Sequence, residues 1–250
     1  MINKEVDQML ADGIIEPSES PWSSPIVLAK KKDGKYRFCI DFQKVNEVTR
    51  KDAYPLPFIN AILDKLRRAR FISSIDLKHG YWQIPLTAAS RPITAFTIPS
   101  RGLFQFRVMP FGLHSAPATF QRLMDRIIGP ELEPYCFVYL DDIIVLGESF
   151  EHHLDMLKEV FSRLRAANLR VRVNPEKCVF ARKSLVYLGH VVTEEGIHTD
   201  PNKVTAITGL EPPNTVRRLR RFLGMASWYR RFVPQFSQIA APLNRLLKKS

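Results

Sequence analysis

Cysteine is scarce in this chain: Cys39, Cys136 and Cys178 are the three it has in 250 residues, and they stand far apart. An odd, scattered set supports neither a disulfide framework nor a zinc site, and it points to a reducing compartment. No stretch approaches the ~18 to 20 uninterrupted apolar residues of a membrane span, and the N-terminus, with Lys4, Glu5 and Asp7, lacks the apolar core of a signal peptide. A soluble intracellular protein without a membrane partner is therefore expected. Internal repeats and low-complexity tracts are missing too. Acidic residues are in deficit, with 25 Asp plus Glu against 37 Lys plus Arg and a formal net charge of +12. That balance suits a polyanionic partner better than an acidic small molecule, although net charge speaks chiefly to solubility and non-specific association.

What is present is a chain that is 45% hydrophobic, enough for a sizeable core in one domain or in two or three small subdomains. Val6, Met9 and Leu10 predict a short amphipathic helix that closes at Gly13, followed by an extended loop over the Pro/Ser-rich residues 17–25. Residues 26–29 and 36–40 are β-rich and joined across a lysine-rich tip in which Asp33-Gly34 is a hairpin signal. Ile59, Ile62, Leu63 and Leu66 mark a helix, and residues 71–77 a strand ending around Asp76. A second helix follows Ser115, read as its N-cap, with Phe120, Leu123, Met124 and Ile127 facing inward. Residues 137–146 form a hairpin with Asp141-Asp142 at the tip. The next helix has Leu154, Leu157, Val160, Phe161 and Leu164 at core spacing. Residues 185–192 read as one strand, paired through a turn at Glu195-Gly196 with another. Thr215 caps an arginine-rich helix, and a subdomain boundary is placed at residues 210–214.

The acidic pair carries the chemistry. Two adjacent carboxylates inside Phe137-Val-Tyr-Leu-Asp-Asp-Ile-Ile-Val145 repel and desolvate each other unless a cation stands between them. Mg²⁺ takes oxygen ligands and keeps waters and substrate phosphates in its shell, so a few protein carboxylates suffice. Asp76, at the end of a strand, offers a third ligand, and three carboxylates can hold two ions in the arrangement used for phosphoryl transfer. Each residue alone has a plainer reading: Asp141-Asp142 as an ordinary acidic turn, Asp76 as a strand-end or helix-capping residue.

At these residues the sequence resembles the reverse transcriptases of gypsy-type LTR retrotransposons. Tyr139-Leu-Asp-Asp142 is similar to the family's Tyr-x-Asp-Asp box and Ser74-Ile-Asp-Leu-Lys-His-Gly-Tyr-Trp-Gln-Ile84 to its first catalytic motif. Further segments follow in the family's order: Gly13-Ile-Ile-Glu-Pro-Ser18, Ser20-Pro-Trp-Ser-Ser-Pro25, Lys31-Lys-Asp-Gly34, residues 37–46, Met109-Pro-Phe-Gly-Leu113, Ala116-Pro-Ala-Thr-Phe120, Asn174-Pro-Glu-Lys-Cys178, Tyr187-Leu-Gly-His190 and Arg221-Phe-Leu-Gly224. The likeness spans essentially the whole chain.

The resemblance implies an α+β right-hand polymerase: fingers and the start of the palm over residues 1–75, palm over 76–210 and a helical thumb over 211–250. It implies Asp76, Asp141 and Asp142 as catalytic ligands of two Mg²⁺ ions, with Mn²⁺ as a substitute. Lys31 and Arg37 would hold the triphosphate of the incoming nucleotide, where a point charge and a bidentate fork suit phosphate oxygens. Tyr81 would gate against a ribose 2′-hydroxyl, favouring DNA synthesis. Phe111 stands where retroviral enzymes carry Gln, the gypsy-type pattern. It would pack beside the nucleotide, with Gly112 permitting close backbone approach. Lys177 could protonate the leaving pyrophosphate, and Leu188, Gly189 and His190 fall in the primer grip. Arg217, Arg218, Arg220 and Arg221, interleaved with aromatics further on, would track the nucleic-acid backbone. Apart from the resemblance, Lys31, Arg37 and the later arginines read as solvated basic faces, Tyr81 as a core aromatic, Lys177 as a surface lysine and His190 as a structural histidine.

The implied function is RNA-directed and DNA-directed DNA polymerisation by two-metal nucleotidyl transfer. Its partners would be an RNA template, a DNA primer, the RNA-DNA hybrid and deoxynucleoside triphosphates. Ribonuclease H and integrase parts would adjoin it in a longer polyprotein, in the cytoplasm or a virus-like particle. Two other classes compete. A non-catalytic nucleic-acid-binding fragment of the same fold would bind equally well in a chelator, and an apparent doubling of Arg-Val at residues 170–173 favours it mildly. An RNA polymerase with a similar palm is opposed by the bulky Tyr81.

Overall fold

The computed structural model describes residues 2–30, 34, 36–66, 70–167, 172–173 and 175–247, with the backbone alone for Lys78, Arg172 and Val173. Lys31, most of the lysine-rich hairpin tip, and Arg170, Val171 and Asn174 around the doubled dipeptide lie outside the described residues. In chain order the elements are α1 (Ile2–Ala11), β1 (Ile15–Pro17), β2 (Ile26–Lys30), β3 (Tyr36–Ile40), α2 (Gln43–Val48), α3 (Ile59–Lys65), β4 (Phe71–Lys78), β5 (Phe96–Ile98), β6 (Gly102–Phe106), α4 (Ala116–Ile128), β7 (Cys136–Tyr139) and β8 (Asp142–Gly147). They continue with α5 (Phe150–Ala166), β9 (Arg172–Val173), β10 (Val179–Arg182), β11 (Ser184–Tyr187), β12 (His190–Thr193), β13 (Gly196–Thr199), α6 (Pro201–Thr208), α7 (Val216–Trp228) and α8 (Phe236–Arg245).

The central sheet runs β10-β4-β8-β7, with β9 also paired to β4, and its ladders are antiparallel. Its strands are apolar at consecutive positions because both faces are covered. Ile75, Leu77, Ile143 and Val145 meet Phe120 and Met124 of α4 and Leu157, Val160 and Leu164 of α5. Ile72, Ile144 and Leu146 project the other way, onto Ile62, Leu63 and Leu66 and onto Leu185, Tyr187 and Val192 of the β11-β12-β13 sheet. A third core gathers α1, β1, α2, β5 and β6 around Phe42, Phe96 and Phe106. Leu219 and Leu223 of α7 pack on Ala240 of α8 in a small cluster of their own.

Most expected elements are found, including the 26–40 hairpin in the register Ile26↔Ile40 and α1 closed by Gly13 at φ +68°. Four details differ. Residues 185–192 are two strands, not one: Leu188 and Gly189, both at positive φ, form a two-residue turn between Tyr187 and His190. Paired left-handed residues match the twist of the flanking strands, which is why the chain can reverse there. The acidic hairpin turns at Leu140-Asp141, because Asp142 is already in the ladder opposite Tyr139. Ser115 makes no capping bond to α4, and its hydroxyl donates instead to the Arg50 carbonyl. On α5, Leu154 is exposed and His153 is buried in its place, with Nε2 2.7 Å from Ser73 Oγ on the sheet. Helix α6 had no counterpart in the sequence reading, whereas Thr215 caps α7 as expected by accepting the Arg218 N–H.

Candidate active site

Strand register assembles the acidic centre. Asp76 on β4 is the direct cross-strand partner of Asp142 on β8, so the two carboxylates share one face at the end of the sheet. The Leu77 N–H donates to the Asp141 carbonyl at 3.0 Å and carries the ladder into the turn. Leu140 holds the turn's left-handed position at φ +53°. After β4 the chain folds into a short 3₁₀ turn, Gly80–Gln83, that lays Tyr81 over the centre.

Electrostatics follow from this packing. Burial pushes the Asp141 carboxyl up to about 6, with the charges of Asp142 and Asp76 adding to the effect and Lys177 opposing it. Asp142 is raised as well, first by burial and then by Asp76, again opposed by Lys177. Asp141 Oδ1 is buried and has no hydrogen-bond partner among the described residues. Lys177 Nζ lies 3.4 Å from Asp76 Oδ2. Burial, then Asp141 and Tyr139, push the Tyr81 hydroxyl up to about 12, so it stays protonated through the working pH range.

These features fit a divalent cation in donor chemistry: oxygen ligands of like charge and an orphaned carboxylate oxygen. Among the described residues no group of three or more His, Cys, Asp or Glu side chains is arranged to hold a metal ion. The fit therefore rests on the donor set and not on a closed cage, which suits an ion that keeps water and phosphate in its shell.

Without metal the site should strain the fold, and the sign is definite. At pH 3 the folded and unfolded chains both hold most of the Asp141 proton. As pH rises from the ordinary carboxyl range of about 4 to about 6, the unfolded chain gives up this proton while the folded chain keeps it, so stability is lost across that window and stays lost above it. The site is partly open to solvent, so the penalty is about 1 kcal/mol after screening. Asp141→Asn should then raise Tm in chelator at pH 8 by roughly 2–4 °C and leave it nearly unchanged at pH 3. Equal unfolding curves at both pH values would contradict this reading.

Around the carboxylates stand residues the sequence singled out. Phe111 is 44% exposed, and its ring lies 4.9 Å from that of Tyr81, which is only 8% exposed. Gly112 has φ +97°, and a Cβ there would come within 3.3 Å of the Phe42 ring. The need for glycine thus comes from backbone conformation and packing within the chain. Arg37 is exposed on β3, opposite Ala29. Arg217, Arg218, Arg220 and Arg221 are all exposed on α7.

The β11–β12 turn connects the centre to these helices. Tyr187 is buried beneath the acidic end, and its hydroxyl's pKa is raised, by burial first and by Asp142 next. Leu188 and Gly189 form the turn, and the Tyr229 hydroxyl donates to the Gly189 carbonyl at 3.3 Å. His190 is 1% exposed, packed on the rings of Trp228, Tyr229 and Phe232, with Nδ1 3.1 Å from the Leu188 carbonyl. Its side chain is therefore a joint between the turn and the helices and does not face solvent.

Two residues were missed. Gly80 lies so close to the acidic turn that a Cβ would sit 2.4 Å from Asp141 Oδ1 and 2.8 Å from Phe120 Cζ. Gln121, fully buried on α4, accepts the Leu140 N–H at 2.9 Å and donates to the Val138 carbonyl at 3.0 Å. A polar residue between Phe120 and Met124 on the inner face of an amphipathic helix was the available signal.

Comparison with known proteins extends these observations. A family model described as reverse transcriptase (RNA-dependent DNA polymerase) matches residues 29–192. The chain is 42% identical over 252 residues to the retrovirus-related Pol polyprotein of the transposon opus and 41% over 253 residues to that of the transposon gypsy, both from Drosophila melanogaster. Each alignment covers 99% of this chain and 25% or 24% of the polyprotein, so the chain spans about a quarter of those relatives. Among solved structures it is similar to a foamy viral protease-reverse transcriptase in complex with double-stranded DNA (TM-score 0.91, 30% identity, 98% of this chain, 43% of that one). It is also similar to the same viral protein in complex with an RNA/DNA hybrid (TM-score 0.85, 29% identity, 100% of this chain, 33% of that one).

Proposed function

Because the chain belongs to the reverse transcriptase family and has its right-hand polymerase fold, we propose that it extends a DNA primer on RNA and DNA templates by nucleotidyl transfer from deoxynucleoside triphosphates. The observation that carries this reading is the cross-strand pairing of Asp76 with Asp142 beside the buried, unpartnered oxygen of Asp141. Relatives that are Pol polyproteins several times its length support a place within such a polyprotein, in which ribonuclease H and integrase parts would lie elsewhere.

Asp76, Asp141 and Asp142 would hold two Mg²⁺ ions. When bound, these supply positive charge at the primer 3′-hydroxyl and at the leaving pyrophosphate. The chain's own residues do the rest. Lys177 Nζ, 3.4 Å from Asp76 Oδ2, would donate its proton to the leaving pyrophosphate. Tyr81, neutral and wedged between Phe111 and Phe120, presents a rigid ring where a ribose 2′-hydroxyl would fall. Phe111 offers a flat apolar surface beside the nucleotide and no side-chain hydrogen bond. Arg37 with Lys31 neutralises the triphosphate from the finger hairpin, and the exposed arginines of α7 follow the duplex backbone. The Leu188-Gly189 turn, held from below by Tyr229 and His190, stands at the primer end.

Primer extension with Mg²⁺ and all four deoxynucleotides tests this directly. Product should form on both templates and vanish in chelator, while duplex binding persists and weakens with salt. Tyr81→Val should narrow the preference for deoxynucleotides over ribonucleotides by roughly ten- to a hundredfold. An unchanged preference would remove Tyr81 from the gate, and binding without any product would favour a non-catalytic fragment.

A further inference from the structure

The acidic turn does not hold itself. Leu140 sits at φ +53°, a conformation that a residue with a branched side chain keeps only when its surroundings impose it. The imposing contact is Gln121 Oε1, which accepts the Leu140 N–H inside the protein. The same amide's Nε2 donates to the Val138 carbonyl at 3.0 Å and to Asp125 Oδ1, one helical turn along α4, at 2.8 Å.

These three partners admit one orientation of the amide. Leu140 N–H can only donate, and the Val138 carbonyl and the Asp125 carboxylate can only accept. A flipped amide would set its NH₂ against an N–H and its oxygen against two acceptors, so Asp125 helps decide that Gln121 Oε1 faces the turn. Asp125 is itself held: its Oδ2 accepts the Tyr54 hydroxyl at 2.6 Å, and that bond is the first cause of the raised pKa of Tyr54. Tyr54 in turn is fastened to the outer side of α4. Its N–H donates to Asp52 Oδ1 at 3.0 Å, Asp52 pairs with Arg122, and the Arg122 guanidinium covers the Tyr54 ring at 4.9 Å.

We propose that Tyr54 and Asp125 are positioning residues for the catalytic turn, acting through the amide of Gln121. The relay runs from a half-buried tyrosine through a carboxylate and a buried amide to the backbone between Tyr139 and Asp141. It links the segment between α2 and α3, more than 80 residues upstream, to the placement of Asp141 and Asp142. The proposal rests on the polymerase reading for its consequence, but the relay can be observed without any reaction.

The test is a double-mutant cycle on the full chain with Tyr54→Phe and Gln121→Met, read in two ways. Tyr54→Phe keeps the ring and its packing, so it remains informative even if Gln121→Met folds poorly. In ¹⁵N-leucine-labelled protein, exchange of the Leu140 amide should quicken about fivefold in Tyr54→Phe and by well over tenfold in Gln121→Met, with the Leu164 amide of α5 unchanged. In single-nucleotide extension, Tyr54→Phe should lower the maximal rate about three- to tenfold while nucleotide and duplex affinities stay within about twofold. Removing the hydroxyl in the Gln121→Met background should change neither readout, since the link is already cut.

Unchanged Leu140 exchange in Tyr54→Phe, or effects that simply multiply in the double variant, would overturn the relay. If the parent chain made no product, the polymerase reading would fall, and the exchange measurement would still decide the relay.

Discussion

Asp141→Asn and Asp142→Asn should each reduce primer extension by roughly a thousandfold or more while leaving salt-dependent duplex binding within about twofold of the parent. The substitution keeps shape and removes one negative charge. At Asp142 it leaves the cross-strand pair with Asp76 and the ladder to Tyr139 intact. At Asp141 it neutralises the group whose proton affinity is raised most clearly by burial and by its acidic neighbours. Fold and basic surface survive in both variants, so binding and chemistry should separate. Rates are measured on a preformed primer-template with saturating nucleotide, and binding by titration in chelator. Retained extension in either variant would mean that the charge of that carboxylate is not needed, and the metal assignment would have to be withdrawn.

Gly80→Ala should also be strongly damaging, although it adds one methyl group and no charge. That methyl would meet Asp141 Oδ1 at 2.4 Å and Phe120 Cζ at 2.8 Å, and Phe120, on α4, is fully buried against the sheet. The ring has nowhere to go, so the acidic turn and the 3₁₀ segment carrying Tyr81 must separate. Displacing a catalytic group by about 1 Å can lower a rate about a hundredfold, and overpacking a tight site costs about 1–3 kcal/mol. Extension is therefore expected to drop by roughly ten- to a hundredfold, with a fall in Tm of roughly 3–10 °C. Phe120→Leu, which shortens the obstructing ring, should restore part of the rate in the Gly80→Ala background. Full activity in Gly80→Ala alone would show that the turn accommodates the methyl and that close approach at residue 80 has no catalytic meaning.

Both predictions depend on contacts across the chain, and this is where sequence and structure divide the account. Local chemistry was legible. The helix faces of α1, α3 and α4, the Thr215 cap, the 26–40 hairpin and the apolar strands around the acidic pair follow from periodicity and neighbouring residues. The family likeness extended that legibility to the identities of Asp76, Asp141, Asp142, Tyr81 and Phe111 as site candidates. Where the local pattern was ambiguous it misled. A run such as residues 185–192 is apolar enough for one strand, and only the left-handed pair Leu188-Gly189 divides it. Leu154 has the right spacing for a core position, but Ser73 on the sheet offers a partner to an imidazole, and His153 is the residue buried there.

By itself the sequence determined the helix faces of α1, α3 and α4, the strands flanking the acidic pair and which carboxylates stand in apolar surroundings, because those properties depend on residues within a turn or two of each other. Only the tertiary structure decided that Asp76 faces Asp142, that Lys177 reaches Asp76, that His190 turns inward under Trp228, and that Gln121 holds the turn. Those are consequences of strand register and helix docking. A carboxylate, a lysine or a buried amide has no preferred partner until packing brings one within hydrogen-bonding distance and removes the water that would otherwise serve.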